Sequence, residues 1–294
     1  MDKKILILQI ETRTDKVLNL LLNENKNICK NNNIEYLFFK NCYNNAPPYW
    51  DKIFEIKKIM DTRNDIDYIY WLDSDAFLLN YNNNNFQKFL HENDKYSILI
   101  TNDMPPWNAK FNAGAFIIKN NNIGKEVINK WISYYNPNKW KYDNNVKNWT
   151  TQSQWAGDDY EQGSFIKNIL EDKNYSEHIK VFPYNILNNN SCIENTENTI
   201  SVHLAGDHKK NEDTLSKCKN KLLYKDELNN DTLNNTNSID SFRNFNDIDH
   251  SNINYFDNIN YVLLFRILLI ILIVILLITL SNVLSKKKIF TNKK

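Results

Sequence analysis

The stretch Tyr68-Ile69-Tyr70-Trp71-Leu72-Asp73-Ser74-Asp75-Ala76-Phe77-Leu78-Leu79 decides the fold. Five aromatic and branched residues run straight into two carboxylates, and the chain then turns apolar again. A short run of that composition reads as a buried strand. Side chains alternate along an extended chain, so Asp73 and Asp75 can share one side just past its end. Carboxylates inside a core are costly, whereas two at a strand's carboxyl edge can hold a hard divalent cation. Ligands of open α/β sheets bind at that edge. The pair is a candidate Mg²⁺ or Mn²⁺ site for a phosphate-bearing substrate. Asp-x-Asp also serves as an ordinary turn or helix cap, so its meaning depends on the rest of the chain.

Around this stretch, strand-like and helix-like segments alternate. Residues 4–10, 34–39, 68–72, 95–101, 114–118, 179–182 and 199–203 read as strands. Residues 15–30, 49–60, 123–135 and 158–170 carry apolar residues at helical spacing. About seven strands interleaved with helices predict an α/β domain: a mainly parallel sheet covered on both faces. The apolar pattern fades after about residue 211. Residues 225–260 are dominated by Asn, Asp and Ser, a composition that buries little and fits a flexible stalk.

The near balance of 36 Lys and Arg against 35 Asp and Glu gives no electrostatic ground for a nucleic-acid partner. Asparagine makes up about one residue in six, well above ordinary usage. Runs such as Asn31 to Asn33 and Asn82 to Asn85 read as loop padding. Cys29, Cys42, Cys192 and Cys218 form no Cys-x-x-Cys pair, which argues against structural zinc. Free thiols are their default reading, and sequence alone pairs none of them.

Residues 261–284 are almost wholly apolar, with Arg266 near one end and Lys286, Lys287 and Lys288 closing the other. About 20 apolar residues cross a bilayer, and basic residues anchor the ends, so a single transmembrane helix is expected. Residues 5–10 are too short for a secretory signal and precede Glu11, Arg13 and Asp15. The expected plan is a folded domain (1–210), a stalk (211–260), a membrane helix (261–284) and a basic tail (285–294). Such a tail-anchored chain keeps its large domain in the cytosol by default. The positive-inside rule applied to the tail lysines argues the reverse, which leaves the side of the membrane open.

Five motifs occur in a telling order: Tyr49-Trp50-Asp51-Lys52-Ile53, Asp73-Ser74-Asp75, Phe111-Asn112-Ala113-Gly114, Asp158-Asp159-Tyr160-Glu161-Gln162-Gly163, and Val202-His203-Leu204-Ala205-Gly206. Together they resemble the galactosyl/xylosyl/mannosyl-transferase family of yeast and plants, retaining enzymes of GT-A fold, over about residues 4–210. The resemblance implies a single Rossmann-like nucleotide-sugar domain. It implies Asp73, Asp75 and His203 as ligands of a Mn²⁺ (or Mg²⁺) that bridges the donor's diphosphate. It places Gln162 near the anomeric carbon, and Glu161 near donor or acceptor hydroxyls. Glu161 departs from the Asp more usual there. Asn112 and Gly114 have a sugar-side place, since an amide can bond hydroxyls and glycine permits close backbone approach. Lys209 is a candidate diphosphate partner and Lys52 a weaker phosphate or carboxylate partner, and Glu11, Thr12 and Arg13 follow the first strand where such enzymes contact the nucleoside. The implied partners are a nucleotide-diphosphate sugar and a glycan or protein-linked acceptor. Family members usually carry an N-terminal anchor, so a C-terminal one is a departure.

Two other readings compete. Haloacid-dehalogenase-like phosphatases also use Asp-x-Asp after a strand, but with a small residue where this chain has Phe77, and on the first strand. A catalytically inactive transferase-like lectin or scaffold would carry the same fold, although the intact Asp73, Asp75, Gln162 and His203 give it no support.

Overall fold

A computed structural model describes residues 2–13, 16–40, 46–79, 81–145, 148–194, 196–206 and 216–218. The expected membrane helix (261–284), the basic tail, Lys209, Cys42 and all of the stalk except 216–218 lie outside them. Among the described residues no helix is long and apolar enough to cross a membrane.

The centre is a six-stranded sheet built from β1 (Ile5–Ile10), β2 (Glu35–Phe39), β3 (Tyr68–Leu72), β5 (Ile98–Thr101), β6 (Ala115–Lys119) and β9 (Ile179–Phe182). Its order is β2-β1-β3-β6-β5-β9. β4 (Ala76–Leu78) leaves that sheet and pairs antiparallel with β10 (Ser201–His203), in the register His203 opposite Ala76. β7 (Lys141–Asp143) and β8 (Asn148–Thr150) make a separate hairpin. The helices are α1 (Lys16–Asn31), α2 (Pro48–Thr62), α3 (Asn83–Glu92), α4 (Asn122–Ile132), α5 (Glu161–Phe165), which runs on as a π turn over Ile166–Leu170, and α6 (Lys173–Ser176).

The strands alternate as a doubly covered sheet requires. Leu6, Leu8, Ile69 and Trp71 pack with Trp50, Ile53 and Ile56 of α2, Trp131 of α4 and Phe165 of α5 on one face. Ile5, Ile7, Tyr68, Tyr70 and Leu72 pack with Cys29 of α1 and Phe86 and Leu90 of α3 on the other. Two-sided burial explains why β3 reads as an uninterrupted apolar run. α2 opens on Pro48, which needs no N–H partner at a helix start.

Three expectations need correction, and a fourth holds with an exception: the sheet is mainly parallel, but β6 lies antiparallel to both β3 and β5. A parallel return needs a crossover, usually a helix, and residues 102–114 between β5 and β6 contain none. Asn82 to Asn85 is no padding; the Asn82 side chain accepts from the Asn85 N–H and caps α3. The helix expected from 158 begins only at Glu161, because Tyr160 is extended and the preceding residues are turns. Cys192 is bonded to Cys218, a pairing that sequence left open in favour of free thiols. Cys29 stays reduced and buried, and burial pushes its thiol up to about 12.

Candidate active site

β3 ends at Leu72, and the Asp73 N–H is held by the Gly114 carbonyl at 2.7 Å. The Ala76 N–H returns to the Asp73 carbonyl, which closes a tight turn between β3 and β4. Gln9 of β1 donates to the Asp73 and Ala76 carbonyls, and Asn25 of α1 donates to Gln9 and Ala76 and accepts from the Leu78 N–H. Both amides are fully buried. Sequence reading passed over them, although a lone polar residue inside Ile5-Leu6-Ile7-Leu8-Gln9-Ile10 was the available signal.

The turn presents Asp73 and Asp75 to His203, delivered by β10. The His203 Nε2 lies 3.3 Å from Asp75 Oδ1 and 4.0 Å from Asp73 Oδ2. One ligand atom from each of the three residues falls within 4.8 Å of the others. Burial disfavours the charged imidazole, yet the Asp75 hydrogen bond and both carboxylates hold its pKa above the ordinary range. The Nδ1 atom is buried without a hydrogen-bond partner. The imidazole lies flat against the chain at Gly114, where an added Cβ would meet Cε1 at 2.0 Å. Two carboxylates and an imidazole suit Mn²⁺ and related divalent ions, so this donor set fits the expected metal.

Asp73 is itself oriented from behind. Its Oδ1 accepts from Trp71 Nε1 at 2.8 Å and from Lys52 Nζ at 3.2 Å, which leaves Oδ2 on the histidine side. Lys52 also pairs with Glu161 Oε1 at 2.9 Å and donates to the Ala113 carbonyl. Burial alone would lower the Lys52 pKa, but Asp73 and Glu161 together raise it, so the ammonium stays charged. The Glu161 carboxyl is pushed up by burial against the pull of Lys52, and its Oε2 has no hydrogen-bond partner. Lys52 thus ties the metal-side carboxylate to the first residue of α5. Of the two partners open to Lys52, phosphate or carboxylate, the structure shows the carboxylates Asp73 and Glu161.

The other candidates fall into place around this core. Gln162 Oε1 accepts from the Ala113 N–H at 2.9 Å, which anchors α5 to the loop before β6. Asn112 accepts from the Gly114 N–H and donates to Asp103, so its amide braces the loop. Glu11 is gripped by Arg13 through Nε at 2.9 Å and Nη2 at 2.7 Å, and by the Ser74 hydroxyl. Burial opposes the Glu11 charge, but Arg13 and Ser74 prevail and its pKa is lowered. Thr12 is exposed between them. The end of β1 and the Asp73-Ser74-Asp75 turn therefore meet. Lys209 lies outside the described residues.

These features, an α/β sheet whose central strand ends in paired aspartates, give the chain a GT-A-like architecture. Residues 2–111 match the galactosyl transferase GMA12/MNN10 family, from β1 through the aspartate turn to the loop before β6, and this supports the resemblance carried by the motifs. No curated protein sequence matches the chain. Among solved structures, a glycosyltransferase involved in the glycosylation of the major capsid of PBCV-1 shares the fold. Its TM-score is 0.52 at 14% identity, over 70% of this chain and 98% of the other. Lower-scoring likenesses include the catalytic domain of Drosophila β1,4-galactosyltransferase 7 in complex with xylobiose (TM-score 0.39, 15% identity, 70% and 72% covered). Mouse xyloside xylosyltransferase 1 in its apo form is another (TM-score 0.37, 11% identity, 63% and 87% covered).

Proposed function

We propose that this chain is a metal-dependent, membrane-anchored glycosyltransferase that moves a hexose or pentose from a nucleotide-diphosphate sugar to a glycan or protein-linked acceptor with retention. The observation that carries the metal dependence is the convergence of Asp73, Asp75 and His203 from two separate strands. A bound Mn²⁺ or Mg²⁺ supplies a Lewis acid for the diphosphate leaving group. Asp73 and Asp75 would hold it at the sheet edge, and His203 would complete the protein's share of the ligands. Lys52 and Trp71 keep Asp73 turned toward that position. Glu11 and Arg13 line the nucleoside side of the same edge.

Gln162 and Glu161 stand at the start of α5, where Gln162 is locked against the Ala113 N–H. A carbonyl oxygen keeps a second lone pair, which Gln162 can offer to positive charge at the anomeric carbon. The acceptor hydroxyl attacks on the face the nucleoside diphosphate leaves, and a departing phosphate oxygen takes its proton. Retention follows from that same-face geometry. The plan of catalytic domain (1–210), stalk (211–260), membrane helix (261–284) and basic tail (285–294) rests on the apolar run and its flanking lysines.

The test is donor turnover by the full chain. Hydrolysis of a panel of nucleotide sugars should require Mn²⁺ or Mg²⁺ and fall by at least about a hundredfold in Asp75→Ala, a loss of metal electrostatics. NMR of a transfer product should show the donor's anomeric configuration; inversion would end the retaining reading. Alkaline carbonate should strip a chain lacking 261–284 from membranes and leave the full chain in place.

A further inference from the structure

The loop before α5 carries a cluster of rings that the chemistry above does not use. Trp155 is 70% exposed, which is unusual for the largest apolar side chain. Its ring meets Tyr49 edge-on at 5.3 Å and Tyr160 at 5.1 Å. Tyr49 and Tyr160 lie 5.0 Å apart, and Trp140 completes the group beneath them, 5.0 Å from Tyr160.

This cluster is firmly mounted. The Gly157 N–H returns to the Gln154 carbonyl and the Tyr160 N–H to the Gly157 carbonyl. The Trp50 indole donates to the Asp159 carbonyl at 2.7 Å. The loop lies directly on α5 at Gly163, where an added Cβ would come within 2.2 Å of the Gly157 carbonyl oxygen. An indole held out on so well-bonded a loop has no packing reason for its exposure.

It is also close to the reacting groups. Tyr160 directly precedes Glu161, and Tyr49 precedes Lys52 by three residues on α2, about 4.5 Å along the axis. Lys52 reaches both Glu161 and Asp73. The ring cluster therefore borders the α5 side of the metal-ready edge, next in the chain to Glu161 and one helical turn from Lys52. Glu11 and Arg13, which line the nucleoside side, extend instead from β1.

We propose that Trp155, backed by Tyr49 and Tyr160, is the platform on which a pyranose ring of the acceptor saccharide stacks. An indole face covers the C–H face of a pyranose while the ring's hydroxyls stay in water, the division of labour for which amphipathic aromatics are suited. The occupant is an acceptor sugar rather than the donor, because Trp155 stands open to solvent, whereas the donor is held through its diphosphate at the aspartate turn. This rests on the transferase reading and assigns its acceptor subsite.

The experiment uses the full chain with Mn²⁺, a donor it hydrolyses, and cellotetraose, xylotetraose and mannotetraose as acceptor probes. Trp155→Ala should raise the acceptor KM by at least about tenfold, a loss within reach of one aromatic stacking contact. Donor hydrolysis in the absence of acceptor should stay within about twofold, since it uses none of these rings. Trp155→Phe should recover much of the acceptor affinity. An unchanged acceptor KM, or hydrolysis falling in step with transfer, overturns the platform while leaving the transferase intact. If the wild type neither hydrolyses nor transfers, the transferase reading fails by itself. Saturation-transfer NMR then decides the platform: saccharide binding lost in Trp155→Ala supports it, and no binding by the wild type ends it.

Discussion

Gly114 shows how a single residue can serve a site without touching a ligand. The sequence offered it as a place for close approach of a sugar. The structure gives the space above it to the His203 imidazole. A methyl group there overlaps the ring, so the imidazole must shift to admit it. Gly114→Ala should therefore cost about 1–3 kcal/mol of stability, as overpacking does. It should weaken Mn²⁺ binding by about tenfold or more, because the donor nitrogen is displaced from the two aspartates. Calorimetric titration of Mn²⁺ into the variant, alongside His203→Ala, checks both; equal affinity in Gly114→Ala and wild type would refute it. Lys52 carries a related lesson. Its place in the Trp50-x-Lys52 motif left phosphate and carboxylate open, and it pairs with two carboxylates and a carbonyl and acts through them.

At the scale of elements, the site depends on β1, α1 and β4 being sewn together by two buried amides. Gln9 and Asn25 supply the donors and acceptors that a strand cannot find where it breaks at Asp73 to Ala76. Removing Asn25 leaves the Leu78 N–H and Gln9 carbonyl oxygen less satisfied in a dry interior. Asn25→Ala should cost about 2–4 kcal/mol, at the upper end for a single polar truncation. Urea unfolding measures this, and a loss below about 0.5 kcal/mol would show the amide to be dispensable. The same scale accounts for the reversed strand β6 in an otherwise parallel sheet. The strands announced themselves by composition, but the direction of β6 depends on its pairing with Tyr68 to Leu72, residues about 45 positions earlier. No local pattern encodes that choice.

At the scale of the molecule, the Cys192–Cys218 disulfide closes a segment of the chain that contains His203. It joins Leu21, Phe77, Leu79, Val202 and Leu204 in a small core behind the metal-ready edge. A crosslink over 26 residues restricts the unfolded chain by about 3.5 kcal/mol in the loop-entropy account. Reduction, or Cys192→Ser with Cys218→Ser, should lower thermal stability accordingly, as differential scanning calorimetry would report. An unchanged transition would mean that the apolar core alone holds β10 in place.

The sequence by itself determined the strand that ends in Asp73 and Asp75, the alternation that makes an α/β domain, and the motif order that resembles a glycosyltransferase family. These are local signals: apolar runs, helical spacing and short-range residue chemistry, each legible within a few positions. Only the tertiary structure decided that β6 runs antiparallel, that His203 rests on Gly114, that Lys52 serves Asp73 and Glu161, and that Cys192 binds Cys218. Each of these joins residues tens to more than a hundred positions apart. Such contacts are selected by the packing of the whole domain, since a buried charge, ring or thiol takes whichever partner the fold brings within reach.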